Sequence, residues 1–125
     1  MRIIQAKDIN FNRHIIESKS VDILVSPDKN KGLGSQRYLD SGLNGVIVRL
    51  AAKNNVRIGI NLSELRDLNE IELGLRFAKI RQNILLCRKA HVELAFSGSR
   101  DDISARALLM CLGASTQQAT KAISF

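Results

Sequence analysis

The sequence predicts an α/β fold of four consecutive βα units with parallel strands, followed by a short C-terminal helix. Two observations lead there. Four short strand-like runs each precede a segment of helical periodicity, and strand alternating with helix gives parallel strands joined by crossovers. Two of the runs, "VDILVS" (21–26) and "HVELAFS" (91–97), are nearly continuously apolar, as parallel strands covered on both faces are. The chain has 125 residues, 45% hydrophobic and 25% charged, which fits one globular domain spanning 1–125.

The elements follow in order. "RIIQA" (2–6) is the first strand and "FNRHIIES" (11–18) a short helix. "VDILVS" (21–26) runs into the one long loop, "PDKNKGLGSQRYLDSG" (27–42), which holds the only proline. "DSGLNGVIVRLAAKN" (40–54) places Leu43, Val46, Ile47, Leu50 and Ala51 on one side of a helix. Asn54 and Asn55 break it. In "VRIGINL" (56–62), Val56, Ile58, Ile60 and Leu62 alternate with Arg57, Gly59 and Asn61, the period of a strand. The long segment 68–90 has Ile71, Leu75 and Ala78 on one stripe, widened by Leu73, Phe77, Ile80 and Ile84, so it is expected to be buried on more than one side. Asp67 with Glu70 is the predicted cap of that helix, and His91 is expected to open the next strand, partly buried. "DDISARALLMCLG" (101–113) ends at Gly113, a suitable C-cap. Ser115 with Gln118 has capping-box spacing for the last helix, "TQQATKAIS".

Nineteen Lys and Arg against twelve Asp and Glu give a net charge of +7. That favours polyanions, nucleic acid above all. One Tyr, four Phe and no Trp make a poor base-stacking platform, so the expected mode is contact with backbone phosphates and shape. No apolar run approaches the roughly 20 residues of a membrane span, and the first residues lack the apolar core of a signal peptide. Cys87 and Cys111 make neither a metal spacing nor a disulfide framework, which predicts a reducing, cytoplasmic setting.

Catalytic chemistry finds little support. His14 and His91 are the only histidines, one mid-helix and one opening a strand, and they form no H-x-H or H-x-x-x-H pair. No metal site, cofactor or catalytic residue is therefore expected. "SGS" (97–99) is either a plain turn or an anion cradle at the next helix start. An enzymatic alternative, a metal-dependent phosphoesterase of the polymerase-and-histidinol-phosphatase type with a site assembled across a dimer, would draw on Asp8, His14, Glu64 and His91. The end of strand 56–62 is expected to be architectural, with Asn61 and Ser63 satisfying backbone groups. The candidate RNA contacts are Lys29, Lys31, Arg37, Arg100 and Arg106, with Arg76 and Lys79 as a second group. The loop cations and Arg100 should lie at the C-terminal ends of strands, the functional rim of parallel α/β folds.

Several stretches together carry a family resemblance: "VDILVSP", "GLNGVIVRLAAKNNVRIGINLSEL", "LLCRKAHVELAFSGS" and "LLMCLGASTQQATKAIS", in this order and spacing. They resemble the TIM-barrel protein subunit of archaeal and eukaryal ribonuclease P, the protein component 3 family, over about residues 20–124. The family strand often carries an acidic residue where this chain has Gly59. The resemblance implies half of a TIM barrel, matching the C-terminal half, since a closed barrel takes roughly 200 residues or more. It implies a subunit that is not itself catalytic and that supports 5′ maturation of precursor tRNA by the RNA subunit. Its implied partners are ribonuclease P RNA, precursor tRNA and a small protein subunit. The exposed sheet edges of a half barrel further predict a homo-oligomer or a partner chain that completes the barrel.

Overall fold

In a computed structural model, residues 1–29 and 39–125 are described. Five parallel strands form one sheet in sequential order: β1 (Ile3–Gln5), β2 (Ile23–Val25), β3 (Arg57–Asn61), β4 (Leu94–Ser97) and β5 (Ile123–Ser124). The helices are α1 (Ile9–Glu17), α2 (Gly45–Lys53), α3 (Glu70–Ala90), α4 (Asp102–Cys111) and α5 (Thr116–Lys121). Single turns of 3₁₀-helix follow β2 (Pro27–Lys29) and β3 (Leu62–Leu65).

Each strand lies beside its sequence neighbour, so every crossover steps the same way. With crossovers of one hand, that winding lays all the helices on one face, as in part of a β/α barrel. The burial pattern agrees. Ile4, Leu24, Ile58, Ile60, Leu94 and Phe96 alternate along the strands and share one core with Ile16, Ile47, Ile80, Ile84 and Leu109 of the helices. The opposite pleat holds a smaller cluster of Ile23, Val25 and Ala95, packed by Ile123 and Phe125. Fully buried side chains of this size each contribute about 1.5–3 kcal/mol, so the helix-covered face dominates the stability.

The predicted βα order stands, with strands shorter than their apolar runs. The sequence places Ile123 and Ser124 at the end of the last helix, whereas they form β5. Its two residues have no period of their own. It is a strand because Ala95 and Phe96 of β4 stand beside Ile123 and Ser124. The cap of α3 is Asn69, whose side chain accepts the Glu72 N–H at 2.8 Å, not Asp67. The capping box of Ser115 and Gln118 is present in both directions, at 3.1 and 2.9 Å. His91 belongs to no strand. It closes α3 in the left-handed conformation (φ 62°) and is exposed.

Candidate functional site

Parallel strands put all their C-terminal ends, and the following helix N-termini, on one rim. The polar residues after β2 and β3 meet there. Asp28, in the turn after β2, is 1% exposed. Arg76 reaches across from the second turn of α3, donating to the Asp28 carboxylate at 2.9 Å and to Glu64 at 3.3 Å. Glu64, in the turn after β3, also accepts from Lys29 at 3.3 Å and Asn61 at 3.2 Å. Burial pushes the Asp28 carboxyl pKa up, outweighing the opposing pull of Arg76. One Asp28 oxygen has no hydrogen-bond partner.

β2 ends at Ser26, which is 1% exposed and in the left-handed region (φ 53°). Its hydroxyl accepts the Asn61 N–H at 3.2 Å, tying the end of β2 to β3. The Asn61 side chain in turn accepts from the Ser63 N–H at 3.1 Å and the Ser63 hydroxyl at 2.7 Å. The end of β3 is therefore architectural, as its small polar residues suggested. The rim charges form an ion lattice that clamps two strand-end turns onto α3. No histidine joins it, and no serine in it has a base beside it.

The predicted RNA contacts are scattered. Lys79 is 1% exposed, inside the core side of α3, where desolvation lowers its pKa while Asp40 acts to raise it. Arg76 is spent on two carboxylates, with its side chain 13% exposed. Arg106 donates to the carbonyls of Ala119 and Ala122, both at 3.0 Å, and lies over the Phe96 ring, so it fixes α5 against β4. Lys29 keeps over half of its side chain in solvent, and Arg100 is exposed. Lys31 and Arg37 lie outside the described residues.

The residues of the enzymatic alternative are not brought together. Asp8 caps α1 on the rim and Glu64 belongs to the lattice. His91 precedes β4 and so sits at the opposite edge of the sheet. Among the described residues, no group of three His, Cys, Asp or Glu could hold a metal. The "SGS" turn is not an open cradle. Gly98 (φ +77°) packs against Ser63, and its carbonyl accepts from Arg66 at 3.1 Å. The Asp101 carboxylate already caps α4, held below the usual carboxylate range by Ser104 and the Ile103 N–H. Sequence reasoning missed Asp28 as an organising group. Its one signal was position, directly after the strand–proline junction.

The chain is 31% identical over 103 residues to ribonuclease P protein component 3 of Methanococcus vannielii. This chain is a relative of ribonuclease P protein component 3. The component 3 protein of Methanocaldococcus jannaschii is 30% identical over 95 residues, and that of Methanococcus maripaludis strain C7 is 27% identical over 101. The M. vannielii alignment covers 82% of this chain and 42% of that component 3 protein. A chain in the cryo-electron microscopy structure of archaeal ribonuclease P with mature tRNA superposes with a TM-score of 0.78 at 26% identity, over 95% of this chain and 51% of that one. The chain thus spans about half or less of the component 3 relatives it matches. No protein-family model matches it.

Proposed function

We propose that the chain acts as a non-catalytic, RNA-binding protein subunit of ribonuclease P, supporting 5′ maturation of precursor tRNA by the RNA subunit. The observation that carries this is that most of the chain agrees in sequence with component 3 proteins and in fold with a chain of an archaeal ribonuclease P structure. The partners in this reading are ribonuclease P RNA, precursor tRNA, a small protein subunit, and a second copy or another chain that completes the barrel. No cofactor is needed. Among the described candidate contacts, Lys29 and Arg100 are exposed and suited to reaching phosphates.

The test is co-purification. The protein is tagged in its native host, captured at moderate salt, and the bound RNA is sequenced. Enrichment of ribonuclease P RNA is expected. Its absence overturns the reading. Replacing Lys29, Lys31 and Arg37 together with alanine is expected to flatten the salt dependence of RNA binding; an unchanged slope removes that loop from the contact surface.

A further inference from the structure

The charges are not spread evenly between the two edges of the sheet. Helix N-termini lie on the rim just described. Helix C-termini lie on the opposite edge, where the strands begin. Of the twelve acidic residues, only Glu17, Asp22 and Glu93 lie at that opposite edge. Each has a cation of its own: Arg13 on Glu17 at 2.9 Å, Arg2 on Asp22 at 3.9 Å, and Arg57 on Glu93. The same edge carries Lys19, Lys53, Arg88, Lys89 and Lys121, none of which has a carboxylate partner among the described residues. The rim holds the remaining carboxylates, of which Glu64 pairs with Lys29 and Arg76, Asp28 with Arg76, and Asp102 lies 4.0 Å from Arg106. Basic residues complement the partial negative charge of helix C-termini, and this winding collects those C-termini on one edge. The fold itself therefore separates the charge.

Each edge carries a groove. The one on the rim, about 290 Å³ between the turn after β3, α3 and α4, is lined mainly by apolar side chains such as Leu62, Leu73, Phe77 and Leu108. The basic edge carries a larger one. A groove of about 510 Å³ runs between the end of α3, the start of β4 and α5. Arg88, His91 and Lys121 supply cations or donors at its mouth, Thr116 and Gln117 supply a hydroxyl and an amide, and Cys87 and Val92 lie along it. Glu93 also lines it, but its charge is met by Arg57, whose guanidinium further donates to the carbonyls of Leu94 and Lys121 at 3.2 Å. The walls are therefore braced by Arg57 rather than by the cations at the mouth.

We infer that this N-terminal edge, centred on the groove of Arg88, His91 and Lys121, is the main surface for the phosphate backbone of structured RNA, and that the acid-rich rim is secondary. The inference rests on the RNA-binding reading above and replaces its choice of edge. Unpaired cations flanked by hydroxyl and amide donors suit phosphodiester and ribose oxygens. Such contacts position RNA without reading its bases, in keeping with the poverty of aromatics.

The experiment is filter binding of an archaeal ribonuclease P RNA transcript over a salt series. It compares the unaltered chain with an edge variant (Arg88→Gln, Lys89→Gln, Lys121→Gln) and a rim variant (Lys29→Gln, Arg100→Gln). All five positions are exposed, and unchanged thermal melts verify that both variants fold. The edge variant is expected to lower the slope of log K against log salt by about 2, the rim variant by well under half of that. An edge variant with an unchanged slope, or a rim variant with the larger loss, overturns the inference. So does an unaltered chain that shows no salt-dependent binding. Co-purification of ribonuclease P RNA from the native host decides the subunit reading separately, so the two can fail independently.

Discussion

Burial decides what individual ionisable residues can do here. Cys87 is fully buried and its thiol pKa is pushed up to about 12, whereas Cys111 is exposed. The thiolate is the reactive form, so a thiol reagent at pH 8 should titrate one cysteine in the native chain and two in denaturant. Two reactive thiols without denaturant would place Cys87 outside the core. Asp28 gives a pH dependence whose sign follows from its raised pKa. Between the ordinary carboxyl value of 3.8 and the higher folded value, the native state holds the proton that the unfolded chain releases. Its contribution to stability is therefore greatest in acid and declines as pH rises through that window. Asp28→Asn should remove this decline, seen as a difference in Tm between the two proteins that changes with pH. Arg76→Met leaves the Asp28 charge buried without its partner and should cost about 3–5 kcal/mol, read by denaturant unfolding. Adding Asp28→Asn should recover much of that loss. None of this was legible beforehand. The sequence shows that Asp28 and Arg76 are 48 positions apart, and only the sheet order brings them within 2.9 Å.

At the scale of elements, apolar periodicity locates the four longer strands and the first four helices, and the Ser115–Gln118 capping box locates α5. The expected α3 stripe of Ile71, Leu75 and Ala78 is not the buried one: Ile71 is 86% exposed, and α3 buries Ile80, Ile84 and Cys87 instead. What the pattern could not carry were the boundaries set by partners. His91 sits in an apolar context that reads as the start of a strand, yet the Val92 N–H closes back onto the Cys87 carbonyl at 2.9 Å and ends α3 there. β5 exists only by its register with β4. Gly59 shows the same dependence. It lies mid-strand in β3, and a Cβ there would come within 2.9 Å of the Ile23 side chain and of the Phe125 ring. The glycine is what lets Phe125 lie flat over the helix-free face, at the position where the resemblance led one to look for an acid. Gly59→Ala should therefore destabilise the chain, and Phe125→Ala in the same molecule should relieve part of the cost. A coupling of about 0.5–3 kcal/mol is expected from a double-mutant cycle of urea unfolding. Strict additivity would mean that the ring does not rest on the glycine.

At the scale of the molecule, the consequence is an open curved sheet. β1 and β5 each have a single strand neighbour among the described residues, so both edges present unpaired backbone groups. Natural sheets cover, shorten or charge such edges. Here β1 is three residues long and carries Ile3, 47% exposed, facing away from the helices in register with Ile23. β5 is two residues long, with Phe125 folded over the neighbouring pleat. The short strands limit edge pairing but do not abolish it, and a closed barrel would use both edges. The proposal that a second copy completes the barrel therefore makes a definite prediction for the isolated chain. Sedimentation over a range of concentrations should show a reversible monomer–dimer equilibrium. Ile3→Lys should shift it toward monomer by placing an ammonium where the two sheets would meet, with the melt of the monomer nearly unchanged because Ile3 is already half in water. A chain that stays monomeric at every concentration would leave the edges to a different protein. An Ile3→Lys variant that associates as strongly as the parent would mean that copies meet at a surface other than the β1 edge.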